Sequence, residues 1–142
     1  MKIIISHQNQ CDSREIEKLI SFLREAGFDV EHGSFNENDF IEKIARAECY
    51  VCVIEQNTHQ SKEIAREVII ATKAGKRIFA IFCPSLTTSI DVPSSINNFA
   101  VGVTEWNPAK LADGLTGIDI GFSDQEGRQK KNELYTKPPS CK

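Results

Sequence analysis

Several familiar binding motifs are missing from this chain of 142 residues, and each absence argues against a class of function. Neither the G-x-G-x-x-G fingerprint nor the Walker pattern occurs, which argues against a dehydrogenase and an NTPase. The G-x-S-x-G elbow of α/β-hydrolases is also absent. The longest apolar runs are too short to span a bilayer, and a strand-like run at the N-terminus replaces a signal peptide, so we expect no membrane segment.

A net positive charge is also absent, since the formal net charge is −3 at pH 7, and this argues against nucleic acid as a partner. The five cysteines are odd in number and lack the spacing of a small disulfide domain, which predicts a reducing, cytoplasmic location. Cys49 and Cys52 form a C-x-x-C inside an apolar run. A redox motif needs a loop at a helix start, so we expect two buried core thiols.

The rest of the chain alternates strand-like and helix-like patterns. The predicted strands are residues 2–6, 28–32, 49–54, 77–83 and 100–104. Near-continuous apolar strands that alternate with helices predict a three-layer α/β fold around a five-stranded parallel sheet. Ligands of such sheets bind beyond the carboxyl ends of the strands. The candidate site loops are therefore residues 6–11, 32–38, 55–61 and the segment from 84 onward.

Glu67 is the residue that departs most clearly from its surroundings. It lies in residues 61–76, which are predicted to form one helix. At about 100° per residue, Glu67 points away from the basic face and into an apolar arc that includes Ile64 and Ala71. A carboxylate in such a place is costly unless it is paired or borders a cavity, and burial would raise its pKa. Glu67 is thus a candidate catalytic acid or base, or else a carboxylate that bonds a neighbouring loop.

The candidate loops hold small polar residues and all three histidines. His7, His32 and His59 lack the paired spacing of zinc sites, so no metal is predicted. A single carboxylate beside Ser6, Asn57 and Ser61 suits cleavage of a glycosidic bond, because it can stabilise or attack an oxocarbenium-like centre. Ser61 has a structural interpretation as well, as the N-cap of the Glu67 helix.

The order and spacing of several segments resemble a TIR (Toll/interleukin receptor) domain across about residues 1–116. The opening strand ends in Ser6-His7, as in the family. Ser61 followed by Glu67, and then by Gly75-Lys76, resembles the segment that carries the catalytic Glu of NAD-cleaving members. The chain departs from the family at Glu63, where a Trp is usual, and in residues 32–38, which lack the usual Pro-Gly or Gly pair.

This resemblance implies a flavodoxin-like fold and cleavage of the nicotinamide–ribose bond of NAD, with NAD as substrate and no cofactor. The products would be nicotinamide and a linear, cyclic or conjugated ADP-ribose, in bacterial antiviral defence signalling. Glu67 would be catalytic, Phe35 would stack on a ring or anchor its own loop, and the remaining substrate-binding candidates are Ser6, His7, Asn57 and Ser61.

Two alternatives remain open. Many TIR domains are adaptors that only self-associate or recruit a partner. The pattern from Glu67 to Lys76 also resembles nucleoside 2-deoxyribosyltransferases, which use a Glu nucleophile. We assign residues 1–121 to the domain and residues 122–142 to a polar, flexible tail. A TIR-like enzyme of this size would act with copies of itself or with a separate sensor or effector protein.

Overall fold

The computed structural model describes residues 1–84, 86 and 90–129. Strands and helices alternate along this part of the chain, as the sequence predicts. The strands are β1 (Lys2–Ser6), β2 (Asp29–Gly33), β3 (Cys49–Ile54), β4 (Arg77–Phe82) and β5 (Gly102–Thr104). The helices are α1 (Ser13–Glu25), α2 (Glu37–Ala45), α3 (Lys62–Lys73), α4 (Ser94–Phe99) and α5 (Pro108–Leu115), with a short 3-10 helix at Thr58–Gln60.

The sheet is parallel throughout, with the strand order β2-β1-β3-β4-β5. This is the flavodoxin-like order, and it confirms the predicted five-stranded parallel sheet. The order reverses between β1 and β3, where Ser6 lies opposite Gly33 of β2 and Cys52 of β3. The carboxyl end of β1 therefore lies at the point where open sheets of this kind bind ligands.

Helices cover both faces of the sheet and give the protein two apolar layers. One layer packs α1 and α5 on alternate strand residues such as Ile5, Val51 and Ile81. The other packs α2, α3 and α4 on the intervening residues, which include Ile4 and Tyr50. Because side chains alternate along a strand, Ser6 points to the same face as Ile4, which is the face that α3 covers.

Helix boundaries follow the capping residues of the sequence. Asp12 caps α1, Asn36 caps α2 through a 2.8 Å bond from the Asp39 amide, and Asn107 precedes Pro108 at the start of α5. The fifth strand is shorter than predicted. Ala100 still closes α4 through its bond to Ile96, so the strand begins only at Gly102.

The predicted tail begins inside the packed part of the molecule. Phe122 forms a parallel bridge with Val103 of β5, and Ser123 is buried and pairs with Gln129. Lys110 of α5 donates a 2.9 Å bond to the Ser123 hydroxyl. The boundary we predicted after residue 121 therefore does not coincide with the end of the packed structure. The rest of the predicted tail, residues 130–142, lies outside the described residues.

The four cysteines in the described part of the chain form two groups. Cys49 and Cys52 are free and fully buried in β3, which confirms the prediction of core thiols. Cys11 and Cys83 form a disulfide between the loop after β1 and the end of β4, with their Cα atoms 5.9 Å apart. The cysteine pattern did not predict this bond. In the described part of the chain, no helix has both the length and the apolar character to cross a membrane.

Candidate active site

Glu67 lies in the middle of α3 and points at the carboxyl end of the sheet, with 6% of its surface exposed. Its Oε1 atom accepts two hydrogen bonds. The Ser6 hydroxyl at the end of β1 donates one at 2.6 Å, and the Tyr50 hydroxyl of β3 donates the other at 2.9 Å. Two strands and one helix, β1, β3 and α3, thus converge on one carboxylate oxygen. The structure confirms that Glu67 faces inward and that Ser6 is its neighbour.

The environment of Glu67 has opposing effects on its ionisation. Burial raises the pKa of the Glu67 carboxyl above its ordinary value, and the neighbouring Glu63 adds to that rise. The two hydroxyl donors lower the pKa and so partly oppose burial. Burial also holds the pKa of Tyr50 well above its usual range, so Tyr50 remains a neutral donor. A carboxyl group whose pKa is shifted by burial and by specific partners is typical of active sites.

A pocket of about 300 Å³ opens beside Glu67, between α2 and α3. The loop after β2 and the start of α2 form one wall, and α3 from Lys62 to Ile70 forms the other. Its lining residues are Phe35, Asn36, Glu37, Phe40, Lys62, Glu63, Arg66, Glu67 and Ile70. This volume is at the lower end of the range for small-molecule sites.

Charged side chains surround the mouth of this pocket. Arg66 of α3 forms an ion pair with Glu37 of α2, and this pair joins the two walls. Phe35 is half-buried and forms an aromatic wall, with the Lys43 ammonium 5.9 Å from its ring centre. The structure therefore brings Phe35, Glu67 and Ser6 into one region, although Ser6 contacts the carboxylate and does not line the pocket.

Ser61 is the N-cap of α3. Its hydroxyl accepts a 3.1 Å bond from the Ile64 amide and a 2.8 Å bond from the side chain of Gln8. The structural interpretation of Ser61 is therefore confirmed. Its predicted contact with substrate remains a prediction, and Ser61 does not line the pocket beside Glu67.

His7 and Asn57 also lie away from this pocket. The His7 ring stacks on His32, with 3.2 Å between Nε2 of His7 and Nδ1 of His32. Burial lowers the pKa of His7, while Glu55 raises it and His32 lowers it further. Asn57 is exposed and donates its backbone amide to the Gln10 side chain. The role of both residues in substrate binding remains a prediction.

The sequence patterns missed two further buried polar residues, one within β3 and one directly after it. Tyr50 lies in a strand whose residues are apolar on both faces, so its hydroxyl group does not interrupt the hydrophobic pattern. Glu55, 1% exposed, directly follows β3 and accepts hydrogen bonds from the backbone amides of Gln8, Gln10 and Cys11. The sequence signal that could have identified Glu55 is an acidic residue immediately after a buried strand. These three bonds to Glu55 hold the loop after β1 against the end of β3.

The described residues contain no group of three metal-ligating side chains. No family model matches the chain, and no curated protein matches it. A solved structure of a 3-dehydroquinate dehydratase-like protein from Bifidobacterium longum is similar, with 18% identity and a TM-score of 0.47. The match covers 81% of this chain and 94% of that chain. A likeness this distant assigns neither an activity nor a site.

Proposed function

We propose that the protein cleaves the bond between nicotinamide and ribose in NAD, with Glu67 as the catalytic residue. One observation carries the proposal: a buried carboxylate, held by two hydroxyl groups, borders a pocket with an aromatic wall. The TIR-like order of segments supports the choice of NAD among glycosides. The products would be nicotinamide and a linear, cyclic or conjugated ADP-ribose, which would act as a signal in bacterial defence.

The chemistry needs little beyond this carboxylate. The nicotinamide ring of NAD is cationic while it is attached and neutral after it leaves, so its departure needs no proton donor. Positive charge then develops at the anomeric carbon of the ribose. The ionised Glu67 carboxylate would stabilise that charge or attack the carbon, and water or another nucleophile would complete the transfer. Phe35 would stack against one of the rings, as an aromatic pocket wall allows.

The decisive experiment measures nicotinamide release from NAD by the purified protein at high concentration. We expect Glu67→Gln to reduce the rate by at least about a hundredfold, because the neutral amide cannot stabilise a developing cation. Glu25→Gln is the matched control, since Glu25 is exposed on α1, away from the pocket. Retained activity in Glu67→Gln would contradict the proposal.

Assays of base release from free nucleosides and of NAD levels in cells distinguish the alternative functions. Release of bases from nucleosides, with NAD left intact, would favour a deoxyribosyltransferase-like enzyme. Unchanged NAD and nucleosides, both with purified protein and on expression in cells, would favour an adaptor that acts by self-association or by recruiting a separate sensor or effector.

A further inference from the structure

Tyr50 is a polar residue at a position that an apolar ring would fill equally well. It is fully buried in β3, and its ring meets Phe40 edge to face at 5.5 Å. A buried hydroxyl destabilises the fold unless it has a hydrogen-bond partner, and phenylalanine would fill the same space without that cost. The partner of this hydroxyl is Glu67. The hydroxyl group of Tyr50 is therefore explained by its bond to the Glu67 carboxylate and not by core packing alone.

The two hydroxyl groups donate to only one of the two carboxylate oxygens of Glu67. Ser6 and Tyr50 both donate to Oε1. No hydrogen bond from the described residues reaches Oε2. Two donors that approach from β1 and β3 fix the position and the rotation of the carboxylate, and they leave its second oxygen unengaged beside the pocket.

The ring of Tyr50 is itself held in place by aromatic neighbours. Phe40 of α2 packs on Tyr50 and contacts Phe35 at 6.2 Å, with the two rings tilted by 48°. Phe35 lines the pocket. A continuous set of three rings thus connects the pocket wall to the hydroxyl that holds Glu67, and this restricts the Tyr50 hydroxyl to one place.

We infer that Tyr50 is a positioning residue for Glu67, which together with Ser6 anchors Oε1 so that Oε2 faces the reacting carbon. This inference rests on the proposed function and names the groups that control its site. Two hydrogen bonds to one oxygen also favour the ionised carboxylate over the protonated one, and only the ionised form stabilises or attacks a developing cation.

Tyr50→Phe removes the hydroxyl and retains the ring, so it tests this role directly. In the full chain, we expect kcat/KM for nicotinamide release to fall about tenfold, the typical effect of losing one hydrogen bond to a charged group. Most of the loss should lie in kcat. The acid side of the pH profile should move to higher pH, because the carboxylate loses a donor that stabilises its charge. Ser6→Ala should produce the same shift.

Thr72→Val is the matched control. Thr72 is on the same helix, and its hydroxyl bonds the Val68 carbonyl at 2.7 Å without touching Glu67. This variant loses a hydroxyl bond of similar length, and we expect its pH profile to match that of the wild type. A shift in Thr72→Val equal to that in Tyr50→Phe would attribute the effect to general loosening of α3 and would overturn the inference.

A measurement that needs no turnover separates this inference from the proposed function. The carboxyl carbon of Glu67 can be titrated by NMR in labelled protein and assigned by its absence in Glu67→Gln. A higher titration midpoint in Tyr50→Phe supports the positioning role, even if no NAD is cleaved, in which case the proposed function alone fails. An unchanged midpoint, with or without cleavage of NAD, would show that the Tyr50 hydroxyl serves only the core.

Discussion

Glu67 lowers the stability of the folded protein at neutral pH. Burial raises the pKa of this carboxyl, so the folded state holds a proton more tightly than the unfolded chain does. The protonated carboxyl therefore contributes stability that is fully present below the unfolded pKa. This contribution is lost as the pH rises through the folded pKa. A residue that is kept in spite of such a cost is typical of a functional site.

Glu67→Gln should show this cost directly. The amide oxygen can still accept bonds from Ser6 and Tyr50, but the amide does not titrate. We expect the free energy of unfolding of wild type, relative to Glu67→Gln, to fall between about pH 4 and about pH 7.5. Urea unfolding of both proteins at the two pH values measures the difference. Glu25→Gln, at an exposed position, is the control. The difference in free energy of unfolding between this variant and wild type should be the same at both pH values. A constant difference for Glu67→Gln would contradict the assigned pKa direction.

The amphipathic pattern revealed Glu67 but not the residues that hold it. A charge inside the apolar arc of a helix breaks a clear periodicity, so one sequence suffices to find it. Tyr50 breaks no pattern, because a central parallel strand is buried on both faces and tolerates aromatic rings. The partner of Tyr50 depends on the approach of α3 to β3, which is tertiary information. The Ser6 contact was predictable only because the strand order and the ligand edge were both inferred.

Helix α3 owes its position to a cap that also joins two loops. Ser61 satisfies the Ile64 amide at the start of α3 and receives a bond from Gln8 of the loop after β1. Local sequence predicted the cap, since a serine before an apolar periodic run is a common helix start. The link to Gln8 was beyond local pattern, because it joins residues 53 apart in the chain.

Ser61→Ala should therefore destabilise the protein by about 1 kcal/mol, the typical value of an N-cap serine. Ser21→Ala, on the exposed face of α1, is the control and should change stability by less than about 0.5 kcal/mol. Urea unfolding gives both values. If NAD cleavage by Ser61→Ala falls while its stability equals that of wild type, Ser61 contacts substrate and is not merely a cap.

At the scale of the whole molecule, the sequence predicted the strands and their crossovers but not the packing of residues 122–129 against β5. Five strands and their crossovers follow from periodicity, which is strong for long apolar runs. The packing of residues 122–129 against β5 was missed, because this segment is polar in sequence and short of apolar side chains. Its pairing with β5 comes from backbone bonds: the Val103 amide donates to the Gly121 carbonyl, and the Ser123 amide donates to the Val103 carbonyl. Such bonds leave no trace in hydropathy.

The boundary of the domain can be tested by comparing two truncations, one after Gly121 and one after Gln129. The shorter chain loses the Phe122 side chain, the Ser123 bond to Val103 and the Lys110 contact with Ser123. We expect it to be less stable by about 2 kcal/mol, from one partly buried ring and two or three hydrogen bonds. Because neither chain contains residues 130–142, their difference isolates residues 122–129. Equal urea midpoints would place the boundary at residue 121 and leave the last bridge of the sheet without a stabilising role.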